Sequence, residues 1–334
     1  MKKLRLGMIG AGKMANWHLK SYRKIPNVEI VAIASPTLDR GQKLAKKYMA
    51  RHLTNGFELI QHLDIDAVDI CAPTGLHKDF IMAALNKGLH VYAEKPMAAS
   101  IKEAEEIIAA NKSAKKIIFN GFNYRFLPEF RKIRSIINSG ELGDIRYIKM
   151  ARVTKENPAS YMFGPNSCGL FNEFHCHFVD LMFSFGFGNP EKVSASGTTV
   201  HNWKIDPDTA SMTLFYPNKL IAEITTSIAS PGLAPEILMI GTKGSLRLSY
   251  SRVRVVKKRD IWELPSSVML MFKESMAVPF RVLKNPFKGA CEHFINCAMT
   301  GARSECDEIA ALKTFRITDA ATRSYVENKS VEID

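Results

Sequence analysis

The chain has 334 residues, 46% of them hydrophobic, and a formal net charge of +13. This length exceeds one typical core and favours two domains. No run of about 18 uncharged apolar residues could span a bilayer. Arg5 and two glycines interrupt the opening apolar run too early for a secretory leader. We therefore expect a cytoplasmic protein without a membrane segment.

The basic residues are spread along the chain, with only short clusters such as RVRVVKKRD at 252–260. Dispersed charge favours a solvated basic surface, so no nucleic-acid partner is expected. The positive electrostatic field of these basic residues would also favour the binding of a phosphate-bearing cofactor or substrate. The six cysteines lie far apart without a CxxC pair, which indicates reduced thiols rather than a disulfide framework or a zinc finger.

Strand-like and helical segments alternate through the first third of the chain. Strands are predicted at LRLGMIG, VEIVAIAS, AVDICAP, HVYAEKP and KKIIFNGF. The helices after the first three strands are expected to end near Lys24, Tyr48 and Lys87. Ser100 and Glu103 form a capping box that begins a further helix. Strands separated by single helices pair in parallel, so residues 1–122 are predicted to form a doubly wound α/β domain.

Residues 123–334 are predicted to form a second domain of the α+β class. A basic helix, EFRKIRSIINSG, precedes the strand-like segments IRYIKMARV, KVSASGTTV, ASMTLFYP, LIAEITTSI, EILMIGT and SLRLSYS. Short turns such as YPNK and TKGS between successive strands favour an open, mostly antiparallel sheet. Helical stretches at 287–300 and 307–328 either cover one face of that sheet or return to the first domain.

A glycine-rich turn follows the first predicted strand. It reads GAGKMA, with Gly10, Gly12 and Ala15 in a GxGxxA spacing around Lys13 and Met14. Backbone N–H groups at such a turn and helix start can face a pyrophosphate. Its position in a βαβ series favours dinucleotide binding over an ordinary tight turn.

The end of the second predicted strand informs the choice between NAD and NADP. A carboxylate commonly stands there to bind the adenosine ribose, but this chain has Ser35. Ser35, Thr37 and Arg40 could donate to a 2′-phosphate, so NAD(P) is expected with a preference for NADP. Alternatively, Ser35 simply ends the strand and both cofactors bind.

The next two strands end in polar segments that would face the same crevice. APTGLH provides Pro73, Thr74 and His77, and YAEKP provides Glu94 and Lys95. Ligands of doubly wound sheets bind at the carboxyl ends of the strands. A lysine there is suited to donate a hydrogen bond to a substrate hydroxyl, although EKP could also be an ion pair that ends a strand.

These segments together resemble the Gfo/Idh/MocA oxidoreductases. The resemblance rests on GAGKMA, APTGLH, HVYAEKPMAASIKEAEEI, GFNYRFLPEFRKIRSIINSGELGDI and the E-x-x-x-H-x-x-D run at 173–180, and it covers nearly the whole chain. It implies an N-terminal Rossmann domain and a C-terminal domain with an open antiparallel sheet. It also implies NAD(P)-dependent chemistry at a sugar, sugar-nucleotide or cyclitol carbon, and a homodimer or homotetramer.

The resemblance places the active lysine at Lys95 and a second catalytic pair at Glu173 and His177. Histidine titrates near neutrality, so His177 is the expected acid/base. Lys95 would polarise the substrate oxygen, and Glu173 would orient the site. Relatives usually carry aspartate in place of Glu173; the longer side chain keeps the charge but changes its reach, which bears on substrate choice.

The stretch NEFHCHFVD, residues 172–180, first suggests a metal site. On a helix, His175 and His177 diverge by about 200°, so no metal is expected unless the stretch is extended. We expect His175 to be packed or partly exposed and Cys176 to be a small buried thiol. Asp180 is expected to make a structural hydrogen bond.

The segment entering the cleft supplies two further substrate candidates, Asn123 and Arg125. Arg125 either touches an anionic substrate or pairs at the domain boundary. Tyr161 and Trp203 lie in loop-like regions and could stack on a sugar, although core packing is commoner for aromatic side chains.

Three functions remain open at this point. The leading one is a dehydrogenase or reductase. The others are a glycoside hydrolase that uses tightly held NAD for transient oxidation, and a non-catalytic dinucleotide-binding sensor. Retention of both Lys95 and His177 argues against the sensor.

Overall fold

The computed structural model describes residues 3–155, 167–201, 206–249, 252–257 and 285–333. These residues divide into two compact units. The first comprises 3–126, 167–168 and 285–315, and the second comprises 127–155, 169–201, 206–249, 252–257 and 316–333. Whereas the sequence predicted one division after residue 122, the first unit extends to Phe126 and includes a late segment of the chain.

A six-stranded parallel sheet forms the centre of the first unit, in the order β3-β2-β1-β4-β5-β6. The strands are β1 (Leu4–Ile9), β2 (Val28–Ala34), β3 (Arg51–Leu53), β4 (Ala67–Ile70), β5 (His90–Ala93) and β6 (Ile118–Asn120). Helices connect the strands as crossovers. The predicted doubly wound α/β sheet is confirmed.

Nine helices are present in the described chain. They are α1 (Lys13–Tyr22), α2 (Leu38–Tyr48), α3 (Gly56–His62), α4 (His77–Asn86), α5 (Ile101–Ala114), α6 (Pro128–Asn138), α7 (Cys176–Ser184), α8 (Lys288–Thr300) and α9 (Glu308–Glu327). Within the described ranges, none is long and apolar enough to cross a bilayer.

The central strands β1, β4 and β5 are buried on both faces, which explains their nearly continuous apolar sequences. Leu6, Met8, Val68 and Val91 are fully buried in the sheet core. Asp69 is the exception, since this charged residue in β4 is also fully buried. Its carboxylate must therefore find partners inside the first unit.

Local signals explain where some helices begin. The predicted helix start at Ser100 is confirmed, since Ser100 Oγ accepts the N–H of Glu103 at 3.2 Å. The Glu103 carboxylate accepts the N–H of Ala99, the residue before the N-cap, at 2.9 Å. The sequence did not predict β3 and α3. A three-residue strand is too short to display a period, although Asn55 caps α3 by accepting the N–H of Phe57.

An eight-stranded sheet forms the centre of the second unit, in the order β13-β12-β11-β7-β10-β9-β8-β14. The strands are β7 (Ile145–Lys155), β8 (Lys192–Thr198), β9 (Thr209–Phe215), β10 (Ile221–Ser227), β11 (Ala229–Gly241), β12 (Gly244–Ser249), β13 (Arg252–Lys257) and β14 (Val331–Glu332). Only β7 and β10 pair in parallel among these strands. The predicted mostly antiparallel sheet is confirmed, and the basic segment at 252–257 supplies its edge strand.

The central strands of this sheet bury alternate residues. Met212 and Leu214 on β9 and Ile224 on β10 belong to the buried set. A helical segment packs on the sheet, since His175 Nδ1 lies 2.9 Å from Thr226 Oγ1 of β10. The predicted NEFHCHFVD helix is thus seated in the core of the second unit.

Candidate active site

The glycine turn after β1 has the geometry of a dinucleotide cradle. Gly10 has a φ of +111°, and a Cβ there would lie 2.5 Å from the carbonyl oxygen of Cys71. Gly12 is the N-cap of α1, and a Cβ built on it would meet nothing within 4 Å. No side chain caps this helix in the described structure. The open space and the N–H groups of the first helical turn fit a pyrophosphate.

Ser35 at the end of β2 is buried and holds the following turn. Its Oγ accepts the N–H of Thr37 at 3.2 Å. Thr37 and Arg40 are exposed at the start of α2, as is the carboxylate of Asp39. Ser35 therefore has a local structural role, whereas Thr37, Asp39 and Arg40 are open to solvent.

The structure brings the APTGLH and YAEKP segments together at the carboxyl ends of β4 and β5. His77, buried at the start of α4, has Nδ1 2.8 Å from the carbonyl oxygen of Pro96 and Nε2 2.8 Å from that of Ala72. Thr74 is buried in the preceding 3₁₀ turn. Lys95 is half-buried, and its peptide bond to Pro96 is cis.

Beneath the glycine turn lies a buried charged cluster centred on His18 of α1. His18 Nδ1 is 2.9 Å from Asp69 Oδ2, and Nε2 is 3.0 Å from Glu94 Oε1. The first contact is a hydrogen bond; the second has ion-pair distance but lacks hydrogen-bond alignment. Burial alone would lower the pKa of His18, but the neighbouring charges, that of Asp69 above all, raise it well above its ordinary value.

The Asp69 carboxylate also has neutral partners. The hydroxyl of Tyr22 donates to Oδ2 at 2.7 Å, and the thiol of Cys71 donates to Oδ1 at 3.3 Å. Burial raises the pKa of Cys71 well above its ordinary value, so the thiol keeps its proton. His18, Asp69 and Cys71 are close enough for a metal ion to be considered. Their mutual hydrogen bonds account for the arrangement, so we describe a hydrogen-bonded cluster.

Neither His18 nor Asp69 was predicted from the sequence as a site residue. A signal was present: AVDICAP places one carboxylate inside a buried apolar strand, and such a carboxylate requires a buried partner. The histidine six residues after Gly12 lies on the buried face of α1. Pairing the two needed the contact between α1 and β4, which spacing along the chain does not reveal.

In the second unit, Glu173 and His177 are buried, with exposed fractions of 1% and 8%. Residues Phe171–His175 form a π-helical turn that continues into α7. The stretch is helical as predicted, but ideal α-helical spacing does not hold across the π turn. Such turns often occur at functional sites because they redirect a side chain.

His175 is packed in the core, as predicted. Its exposed fraction is zero, its ring lies 4.9 Å from that of Phe171, and it contacts Thr226. Burial lowers the pKa of His175 to about 4, although backbone hydrogen bonds partly oppose the shift. The histidine is therefore neutral near pH 7. Cys176 and Asp180 are also buried, and no residue from 172–180 joins a metal-capable group in the described chain.

The further substrate candidates Asn123 and Arg125 both lie in the 3₁₀ turn Asn123–Phe126. Asn123 is buried in a 3₁₀ turn, and Arg125 donates from Nη1 to the carbonyl oxygen of Glu305 at 2.7 Å. This bond supports the pairing role that the sequence left open for Arg125. Tyr161 and Trp203 lie outside the described residues.

A cavity of about 500 Å³ opens at the other edge of the parallel sheet, lined by residues 61–66, 87–90 and Lys116. These residues precede β4 and β5, so the cavity is at the amino ends of the strands. Doubly wound sheets bind ligands at the carboxyl ends. We therefore assign this cavity no part in the candidate site.

Profile matches cover both units. Residues 4–122 match the oxidoreductase family with an NAD-binding Rossmann fold, and residues 130–247 match the GFO/IDH/MocA C-terminal domain. The chain belongs to the Gfo/Idh/MocA family. It is accordingly an NAD-binding oxidoreductase, and several of its relatives are named as dehydrogenases.

Two curated members of the Gfo/Idh/MocA family illustrate the similarity. The chain is 28% identical over 339 residues to the uncharacterized oxidoreductase YrbE of Bacillus subtilis, with 100% of this chain and 97% of the relative covered. It is 27% identical over 265 residues to myo-inositol 2-dehydrogenase of Thermotoga maritima, with 77% and 78% covered.

A solved structure shares the fold at lower identity. It is the WlbA dehydrogenase of Bordetella pertussis in complex with NADH and UDP-GlcNAcA. The TM-score is 0.84 and the identity is 20%, with 100% of this chain and 99% of that chain covered.

The two glycines of the turn give a matched pair of variants. Gly10→Ala should lower the free energy of unfolding of the apo protein by about 1–3 kcal/mol, because its backbone conformation disfavours any side chain. Gly12→Ala should change it by less than about 1 kcal/mol yet weaken dinucleotide binding about tenfold, since the methyl group occupies the pyrophosphate space. Urea unfolding and calorimetric titration measure both effects. Undiminished NAD(P) binding by Gly12→Ala would contradict the cradle.

The buried neutral His175 makes a prediction about acid stability. Its folded pKa of about 4 lies below the unfolded value near 6.5, so the unfolded chain binds more protons between these values. The contribution of neutral His175 to the free energy of unfolding is fully present above pH 6.5. It is lost as the pH falls towards 4, by about 2 kcal/mol between pH 7 and 5. The free energy of unfolding of His175→Asn, measured in urea, should fall by about 2 kcal/mol less than that of the wild type between pH 7 and 5. His62→Asn, at an exposed histidine, is the control and should match the wild type.

Proposed function

We propose that this protein is an NAD(P)-dependent dehydrogenase or reductase acting on a carbinol or keto carbon of a cyclitol, sugar or sugar nucleotide. The observation that carries the proposal is the position of Lys95. It follows β5 at the carboxyl edge of the parallel sheet, in the unit that holds the glycine cradle. The named substrates of relatives, inositols and a nucleotide sugar, supply the substrate class.

The chemistry requires a proton to leave the hydroxyl as the carbonyl forms. A bound NAD(P) would supply the acceptor for the hydride that leaves the carbinol carbon. In the proposed mechanism Lys95 donates a hydrogen bond to the reacting oxygen and stabilises its developing negative charge. His177 takes the hydroxyl proton in oxidation and returns it in reduction.

Glu173 is assigned to orientation of the substrate and to charge balance with His177. Its side chain is almost fully buried within the π-helical turn, so its position is restricted by packing. A glutamate reaches one methylene further than the aspartate usual in the family. We propose that this difference contributes to substrate choice, with Asn123 as a further substrate contact.

We also propose a preference for NADP over NAD. The end of β2 has no carboxylate at position 35, and Thr37 and Arg40 are exposed there. A guanidinium can pair with a 2′-phosphate through two hydrogen bonds. The exposed carboxylate of Asp39 opposes this preference, so the balance depends on Arg40.

A homodimer or homotetramer is proposed as the assembly. The support is the resemblance to the family, in which an open sheet commonly pairs with that of another subunit. Sedimentation of the purified protein would measure the assembly directly.

Replacement of Lys95 tests the catalytic assignment. Lys95→Ala should lower kcat by about 100-fold or more, because the hydrogen bond that stabilises the developing charge on the reacting oxygen is lost. Binding of NAD(P)H should change little. Turnover is measured from nicotinamide absorbance across a panel of inositols, sugars and nucleotide sugars. Lys102→Ala, at an exposed lysine on α5, is the matched control and should keep wild-type kcat.

Full turnover by Lys95→Ala would contradict the assignment. A separate assay of glycoside cleavage distinguishes the NAD-dependent glycoside hydrolase, which would cleave a glycoside without net accumulation of NAD(P)H. A protein that binds NAD(P)H but turns over none of the panel would instead favour the sensor.

Replacement of Arg40 tests the cofactor preference. Arg40→Ala should weaken NADP binding about tenfold and leave NAD binding nearly unchanged, because one charge-assisted phosphate contact is lost. Lys43→Ala removes the same charge one turn further along α2 and should affect neither cofactor. The dissociation constants of NAD and NADP are measured by calorimetry for the wild type and both variants. Tighter binding of NAD than of NADP by the wild type would overturn the proposed preference.

A further inference from the structure

Two buried histidines flank the EKP segment in the first unit. His18 lies in α1, and His77 begins α4. Their exposed fractions are 0% and 1%. One contacts the residue before Lys95, and the other contacts the residue after it. Such contacts can position Lys95 without either histidine touching the substrate.

His18 acts on Glu94 through charge. Its two ring nitrogens face two carboxylates, Asp69 at 2.9 Å and Glu94 at 3.0 Å. A neutral imidazole has one N–H and one lone pair, so it can satisfy only one of two ionised carboxylates. The doubly protonated ring directs a proton to each carboxylate, in a hydrogen bond to Asp69 and at ion-pair distance to Glu94. Asp69, fixed by Tyr22, therefore anchors the histidine that holds Glu94.

The Glu94 carboxylate is confined on its other sides. A Cβ built on Gly121 would lie 3.0 Å from Glu94 Cδ and 3.1 Å from each carboxylate oxygen. Any residue larger than glycine at 121 would therefore press on this group. Glu94 Oε2 also accepts the backbone N–H of Lys95 at 3.3 Å. The carboxylate that His18 holds thus contacts the backbone of the proposed catalytic lysine.

His77 fixes the other side of Lys95 by hydrogen bonds. Its ring nitrogens lie 2.8 Å from the carbonyl oxygens of Pro96 and Ala72. A carbonyl oxygen only accepts, so both nitrogens must donate for both bonds to form. The ring of His77 therefore lies between the EKP segment and the loop after β4 and contacts the backbone of both.

We propose that His18 and His77 are positioning residues for Lys95, each holding one of the residues that flank it. The proposal rests on the proposed function for the catalytic role of Lys95 and on the contacts above for its placement. The two anchors act on different atoms, the Glu94 carboxylate and the Pro96 carbonyl. Loss of either lets the lysine backbone shift. A displacement of about 1 Å at a catalytic group can cost 100-fold in rate.

The test compares three histidine-to-glutamine variants of the full-length protein. His18→Gln and His77→Gln should each lower kcat at least about tenfold, with a smaller change in KM and in NAD(P)H affinity. His90→Gln is the matched control, because His90 also bonds a backbone group, the N–H of Ile117, but lies at the amino end of β5. It should keep wild-type kcat.

A spectroscopic readout tests positioning without activity. Lysines are labelled with ¹³C-methyl groups by reductive methylation, and the Lys95 resonance is assigned with Lys95→Arg. The resonance should move in His18→Gln and His77→Gln and stay in place in His90→Gln. An unmoved resonance with undiminished kcat in folded variants would overturn the proposal. A moved resonance in a protein without oxidoreductase activity would support positioning while refuting the proposed function.

A measurement on the wild type guards against variants that fail to fold. In ¹⁵N-histidine-labelled protein at neutral pH, the rings of His18 and His77 should each show two protonated nitrogens. A neutral tautomer at both rings would contradict the anchoring contacts. As a second variant, Glu94→Gln keeps the side-chain shape and removes its charge. In the Glu94→Gln background, His18→Gln should lower kcat much less than it does in the wild type. This is expected for two residues that act through the same contact.

Discussion

The ion pair of His18 with Asp69 and Glu94 is the constraint on which the first unit's chemistry depends. It joins α1, which begins at the dinucleotide cradle, to β4 and to the end of β5. Burying ions costs several kcal/mol each unless partners compensate. The hydroxyl of Tyr22 and the thiol of Cys71 supply part of that compensation at Asp69. The side chains of His18 and Asp69 therefore join α1 to β4, and His18 lies against the Glu94 carboxylate at the end of β5.

The two buried histidines of this unit differ from His175 in what surrounds them. His18 faces carboxylates, which favour a charged ring despite burial. His175 faces the hydroxyl of Thr226 and the ring of Phe171, and burial keeps it neutral. Histidines with equal burial thus have opposite charge states because their partners differ.

Much of the first unit could be predicted because its signals are local. The glycine turn, the capping box at Ser100 and the alternation of strands and helices each depend on a few neighbouring residues. Asp69 and His18 could not be paired from the sequence, since their contact joins residues 51 positions apart. The π turn at 171–175 also escaped prediction, because its apolar pattern resembles that of an α-helix. The return of residues 285–315 to the first unit depends on tertiary packing, and the sequence left that choice open.

The central claim is that this Gfo/Idh/MocA protein moves a hydride between nicotinamide and a carbinol carbon. The most direct measurement follows the hydrogen itself. The protein is incubated with NAD(P) and substrates deuterated at their carbinol carbons, and the nicotinamide product is analysed by mass spectrometry. The account predicts one deuterium at C4 of the nicotinamide for at least one cyclitol, sugar or nucleotide sugar. Reduced nicotinamide formed without deuterium, or none formed with any of these substrates, would contradict it.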